Sequence, residues 1–162
     1  MTSEESAMSE AAGGDGKCAN LTGQEALEMY KDTVPPPFPS NTDPVENHWS
    51  SNSPTDTYDP CAKLSWIVLK IDGGTASSPH QVLIFRRGHF LTRITEEAFA
   101  FEPVEITRIH GDSGISITFR YALDGESNAE SSGRISAGIT LDDSERQITR
   151  TGDVPPGSKW AM

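Results

Sequence analysis

Over much of the second half of the chain, apolar and polar positions alternate with period two. Ile115, Ile117, Phe119 and Tyr121 fall on one face, against Ser116, Thr118 and Arg120 on the other. Ile135, Ala137, Ile139 and Leu141 likewise oppose Arg134, Ser136, Gly138 and Thr140. Such alternation predicts antiparallel strands with one buried and one wet face. Upstream the apolar pattern is denser. Leu64–Ile71 sets Leu64, Trp66 and Val68 on one face and Ile67, Leu69 and Ile71 on the other, and Gln81–Arg86 carries Val82, Leu83, Ile84 and Phe85 without a break. Both segments read as strands covered on both sides. Arg87-Gly88 predicts a two-residue turn into His89–Ile94, which places Phe85 opposite Phe90 and Ile84 opposite Leu91. Turn residues at His110–Gly114, Asp124-Gly125 and Asp142–Ser144 punctuate the later strands.

The N-terminal third follows other rules. Leu21–Asp32 has a narrow apolar stripe of Leu21, Leu27 and Tyr30, with Thr22 and Glu25 at capping-box spacing, so it predicts a short helix. Pro35, Pro36 and Pro37 end it, because they donate no N–H and force extended backbone. Phe38–Asp59 reads as a long irregular segment pinned by Trp49 and Tyr58. Residues 1–17 are rich in Ser, Glu, Ala and Gly and bury too little to offset the entropy of ordering. The expected architecture is α+β and mostly β: a single twisted antiparallel sheet of six to seven strands in meander order, with one N-terminal helix. Residues 1–17 are expected as a disordered acidic tether, 18–156 as a single domain and 157–162 as a flexible C-terminal tail.

Charge narrows the partners. The 162 residues carry a net charge of −11, and residues 1–60 hold 11 of the 24 acidic but only 2 of the 13 basic side chains. A chain this acidic is not expected to bind nucleic acid or a generic anionic membrane. No apolar run approaches the roughly 20 residues that span a bilayer. Cys18 and Cys61, the two cysteines, bracket the helix and the Pro-rich loop. They form neither a Cys-x-x-Cys pair nor a four-ligand zinc set. A disulfide that pins the N-terminal segment to the first core strand is the expectation, since that segment is poorly equipped to hold itself by packing. The alternative is two buried thiols in a cytosolic acidic adaptor.

Ser77 and Ser78 with His80 suggest a small serine hydrolase, but no Gly-x-Ser-x-Gly elbow surrounds them. The plainer reading is a loop whose hydroxyls and imidazole satisfy backbone groups on the way into a central strand. His48, His80, His89 and His110 are scattered, and no metal or other cofactor is expected. Arg86, Arg87, Arg93, Arg108 and Arg120 are read as a solvated face paired with Glu96, Glu97, Glu102 and Glu105. Trp66 is assigned to the core.

The run Tyr58-Asp59-Pro60-Cys61-Ala62-Lys63-Leu64-Ser65-Trp66, followed by Thr75-Ala76-Ser77-Ser78-Pro79-His80-Gln81-Val82-Leu83-Ile84-Phe85, resembles the LppP/LprE family of actinobacterial lipoproteins. Gly88, Phe90 and Leu91, Thr118-Phe119-Arg120-Tyr121, the stretch 128–133 and Gly152-Asp153-Val154-Pro155-Pro156 are also similar, so the likeness runs from Cys18 to Pro156. Thr92-Arg93 stand where the family often has Gly-Thr. The resemblance implies a cell-envelope protein anchored through a lipid on an N-terminal Cys, with no established enzymatic activity and no catalytic residues to carry over. Residues 1–17 contain neither a signal peptide nor a lipobox, so membrane association is expected only through an anchor absent from the chain as given. The expected function is a non-catalytic binding or interaction module of the envelope. Its partner is expected to be another envelope protein or a small apolar ligand held against the apolar face of the sheet.

Overall fold

The computed structural model describes residues 17–41 and 47–162, so the expected tether lies outside the described residues except for Lys17. The helix α1, Gly23–Tyr30, begins as its capping box requires: Glu25 N donates to Thr22 Oγ1 at 3.1 Å and Thr22 N donates to Glu25 Oε1 at 2.9 Å. Eight residues are too few for a helix to persist alone in water. Burial of Ala26 and Leu27 against the neighbouring sheet supplies the rest. Beyond the prolines, Trp49 is buried and its indole N–H donates to Pro35 O at 3.0 Å, so it pins the irregular segment.

Eight strands follow among the described residues: β1 Ser65–Leu69, β2 Pro79–Arg86, β3 His89–Arg93, β4 Phe99–Ala100, β5 Glu105–Ile109, β6 Gly114–Tyr121, β7 Gly133–Leu141 and β8 Ile148–Gly152. They form two antiparallel sheets of four strands, not one sheet of six to seven. In the first, β2 lies between β1 and β3, and β4 pairs with the start of β2 at Pro79 and His80. The second is the meander β5-β6-β7-β8. The second sheet has a physical cause. Alternation in β6 and β7 says that one face must be buried, and the one short helix is already committed elsewhere, so that face is covered by the first sheet. Trp66, Val82, Ile84 and Phe99 pack there against Ile115, Ile117, Phe119 and Ile139. Phe99 and Phe119 meet edge to face with ring centroids 5.0 Å apart.

The outer face of the first sheet carries Ile67, Leu69, Leu83 and Phe85. Leu27, Val34, Trp49 and Tyr58 from the helix and loop cover it. The molecule is thus three layers deep, and β2 is its shared middle. At the far end of β2, Arg87 and Gly88 both take positive φ, 50° and 80°, as a type I′ turn demands. Phe85 faces Phe90 as expected, but Ile84 faces Thr92 rather than Leu91, because an irregularity in the register leaves Leu91 as an extra residue.

Around this turn the N-terminal segment is fastened. Cys18 and Cys61 form the disulfide. Ala19 N donates to Arg87 O at 2.8 Å, and the buried Tyr58 hydroxyl donates to Gly88 O at 2.8 Å. Burial pushes the Tyr58 phenol up to about 12. The Arg87 guanidinium makes a two-pronged bond to Glu145, at 3.0 and 2.8 Å, and a third to Cys61 O at 2.9 Å. Glu145 lies in the β7–β8 turn, so this clamp also joins the two sheets. The arginines depart from the expected solvated face paired with Glu96, Glu97, Glu102 and Glu105. Arg108 and Arg120 lie over the rings of Trp66 and Phe101, 5.2 and 5.1 Å from their centroids, because the second sheet brings guanidinium groups across the first sheet's aromatics. Residues 157–162, expected as a flexible tail, run beside Ile94–Glu96: Glu96 N donates to Lys159 O, Ala161 N donates to Ile94 O, and Ala161 is buried. Among the described residues no helix is long and apolar enough to cross a membrane.

A Cβ added at Gly88 would come within 2.7 Å of Pro60 Cα and of the Tyr58 hydroxyl, at a φ that penalises any side chain. Gly88→Ala should therefore destabilise the fold by at least about 2 kcal/mol, read as a lower urea midpoint. An unchanged midpoint would show that the turn does not need to fit beneath Tyr58 and Pro60.

Candidate functional site

The two sequence motifs have different work. In the first, Tyr58 anchors the hairpin turn. Asp59 Oδ1 accepts from Cys61 N at 2.9 Å and Ala62 N at 3.3 Å, which closes a tight turn. Pro60 O accepts from Ala19 N, Ser65 Oγ donates to Asp59 O, and Leu64 and Trp66 enter the inter-sheet core. These residues are used up in holding the layers together.

The second motif builds a surface. Thr75–Ser78 is a turn in which Ser78 N donates to Thr75 O and Thr75 N donates to Ser78 Oγ at 2.7 Å. Ser77 Oγ is 3.2 Å from Thr75 Oγ1. Pro79 opens β2 opposite Ala100. Gln81 is fully buried. Its amide nitrogen donates to Thr95 O and its amide oxygen accepts from Thr95 N and Oγ1, bolting the start of β2 to the next segment. Between them sits His80, 5% exposed.

His80 Nδ1 lies 2.7 Å from Ser78 O, a carbonyl that can only accept, so Nδ1 carries the proton. Nε2 of the neutral ring is then an acceptor, and it makes no hydrogen bond among the described residues. The ring lines two adjoining clefts of about 360 and 230 Å³ at the end of β2 opposite the clamp, and Lys70 and Glu102 line both as well. The larger runs beneath the 70–76 loop, with Asp72 and Ser78 on its wall. The smaller runs along the edge of β1, past Pro54, Trp66 and Val68. One wall is tied by Ser50 Oγ, which donates to Asp72 Oδ1 at 2.5 Å, and by Lys70 N, which donates to Ser53 Oγ at 3.1 Å. Phe101 holds a positive φ of 76°, turning its ring inward under Arg120, while Glu102 N donates to Ala76 O.

Neither Ser77 nor Ser78 presents its hydroxyl to the imidazole. His80 bonds the Ser78 carbonyl, and both hydroxyls are engaged within the turn. The nucleophile–base bond of a serine hydrolase is therefore not made. Among the described residues no group of three His, Cys, Asp or Glu side chains gathers into a metal site. Nothing in the sequence pairs Lys70 with Glu102. They stand 32 positions apart and meet only because β4 returns beside the start of β2.

Fold and site together define a disulfide-stapled two-sheet domain, closed by a clamp at one end and open as a cleft at the other. The model of the LppP/LprE lipoprotein family matches residues 56–144, more than half of the chain, and the protein belongs to that family. The matched span takes in both motifs, Cys61 and strands β1 to β7, leaving α1, Cys18 and β8 outside. No curated protein and no solved structure matches the chain.

Burial holds the His80 pKa below its ordinary 6.5. The Ser78 carbonyl and Glu102 pull it upward, and Lys70 pushes it down. Asp56 and Asp72 are the other charged groups lining the clefts. A depressed folded-state value means that the unfolded chain binds the proton more tightly. The stability due to the neutral ring is present above the unfolded value and lost as pH falls from there through the folded value. Melting temperatures should therefore decline on acidification below about pH 6.5, and His80→Gln should flatten that decline. An equally steep decline in His80→Gln would assign it to other groups.

Proposed function

We propose that this chain is the extracytoplasmic, non-catalytic binding domain of an envelope lipoprotein, and that its ligand enters the cleft around Lys70, His80 and Glu102. The observation that carries the reading is the His80 imidazole. Nδ1 is used by the Ser78 carbonyl, while Nε2 has no partner among the described residues and lies on a ring that lines both clefts, where a ligand can reach it. The side chains of Lys70 and Glu102 beside it make no hydrogen bond or ion pair among the described residues, so their charged ends can meet a ligand.

Family membership supports the envelope placement, and the Cys18–Cys61 disulfide suits an oxidising compartment. The acidic N-terminal third suits a segment that carries a domain away from an anionic surface. The small apolar ligand expected from the sequence loses its rationale, because the apolar face that suggested it is filled by the second sheet.

Alkylation of the protein from its native host, before and after reduction, followed by intact mass measurement of each cell fraction, tests the placement. The expected result is an envelope fraction with no free thiol. Two free thiols in a cytosolic fraction would contradict it. In the same material, a fluorophosphonate should not label the chain. Labelling of the wild type that Ser78→Ala abolishes would overturn the non-catalytic reading.

A further inference from the structure

We infer that the ligand of the His80 cleft is an uncharged, hydroxyl-rich molecule, a short saccharide of about two rings, whose size suits clefts of this volume. The inference rests on the binding reading above and adds the chemical class. Charge supplies the first argument. Glu102 reaches both clefts, with Asp72 in one and Asp56 in the other, and the whole chain is strongly acidic, so an anion meets net repulsion that the single Lys70 does not offset. A cation meets Lys70, which stands on the wall common to both clefts. A neutral ligand escapes both penalties.

Hydrogen-bonding capacity supplies the second. The neutral His80 ring offers a lone pair at Nε2, from a side chain 95% buried and therefore fixed in direction. The carboxylates are acceptors only, while Lys70 Nζ can donate. Hydroxyl groups both donate and accept, so a polyol satisfies such a mixed surface, whereas an acyl chain would strand it. The smaller cleft adds an apolar strip of Pro54 and Val68 beside the edge of the largely buried Trp66, against which the C–H face of a sugar ring can lie. The joined clefts, about 360 and 230 Å³, leave room for rings on both sides of His80.

The test is a titration of the ¹⁵N-labelled full chain, disulfide intact, with cellobiose, maltose and trehalose in turn. Parallel titrations use glucuronate, choline and laurate. A neutral disaccharide should produce saturable shifts in the amides of Lys70, His80 and Glu102, and the three charged probes should leave them in place. His80→Gln should weaken that binding roughly tenfold, the effect of one good hydrogen bond. Glu102→Gln, at an exposed position where folding is not at risk, should weaken it several-fold. Shifts at those amides with glucuronate, choline or laurate but with no disaccharide would overturn the saccharide assignment and leave the binding reading standing. No shift there with any of the six would overturn both.

Discussion

A strand buried on both faces obliges the rest of the chain to supply two covers, and β2 is that strand. Val82 and Ile84 point into the space between the sheets, Leu83 and Phe85 into the space beneath the helix, and all four are fully buried. The second sheet provides one cover as a continuous antiparallel meander. The other is assembled from an eight-residue helix and an irregular proline-rich segment, neither of which has a hydrogen-bonded ladder to the sheet. That cover depends on the fastening around Arg87-Gly88, where the disulfide, the Tyr58 hydroxyl and the Ala19 amide converge on one turn. The Arg87–Glu145 pair extends the fastening to the second sheet. Arg87 holds the Glu145 carboxyl below its ordinary range and is itself raised by that pair.

Sealing one end of β2 leaves the cleft at the other. Where β2 begins, β3 no longer accompanies it and the two-residue β4 takes over. The sheet is narrow there, and the loops 50–57 and 70–78, tied to each other at Ser50–Asp72 and Ser53–Lys70, border the clefts beside His80. The cleft is thus a consequence of topology, and its chemistry comes from the polar side chains that the strand end and the loops bring to it. This division matches the two motifs: the Tyr-Asp-Pro-Cys segment serves the sealed end, and the Ser-Ser-Pro-His-Gln segment serves the open one.

Local features were legible in the sequence. The capping box of Thr22 and Glu25, the Arg87-Gly88 turn, the Phe85–Phe90 pair and the alternation of β6 and β7 all follow from rules that act over a few residues. The number of sheets was not legible, because period-two alternation says that a face is buried without saying against what. The slip at Leu91 escaped for a related reason, since nothing in an apolar-aromatic run marks which residue is extra. The roles of Arg87, Arg108 and Arg120 depend on partners up to 58 positions away. At the site, His80 was visible as a candidate, but its partners Lys70 and Glu102 come together only through the return of β4.

The central claim is that the outer cover is an appendage held by the staple, while the two-sheet sandwich stands on its own. Hydrogen–deuterium exchange of the oxidised and the reduced chain, compared segment by segment, tests it most directly. Reduction should raise exchange in α1, in the described part of residues 31–60 and at the Arg87-Gly88 turn, and leave the amides of β6 and β7 as protected as before. Equal loss of protection in α1 and in β6 and β7, or no change anywhere, would contradict the account.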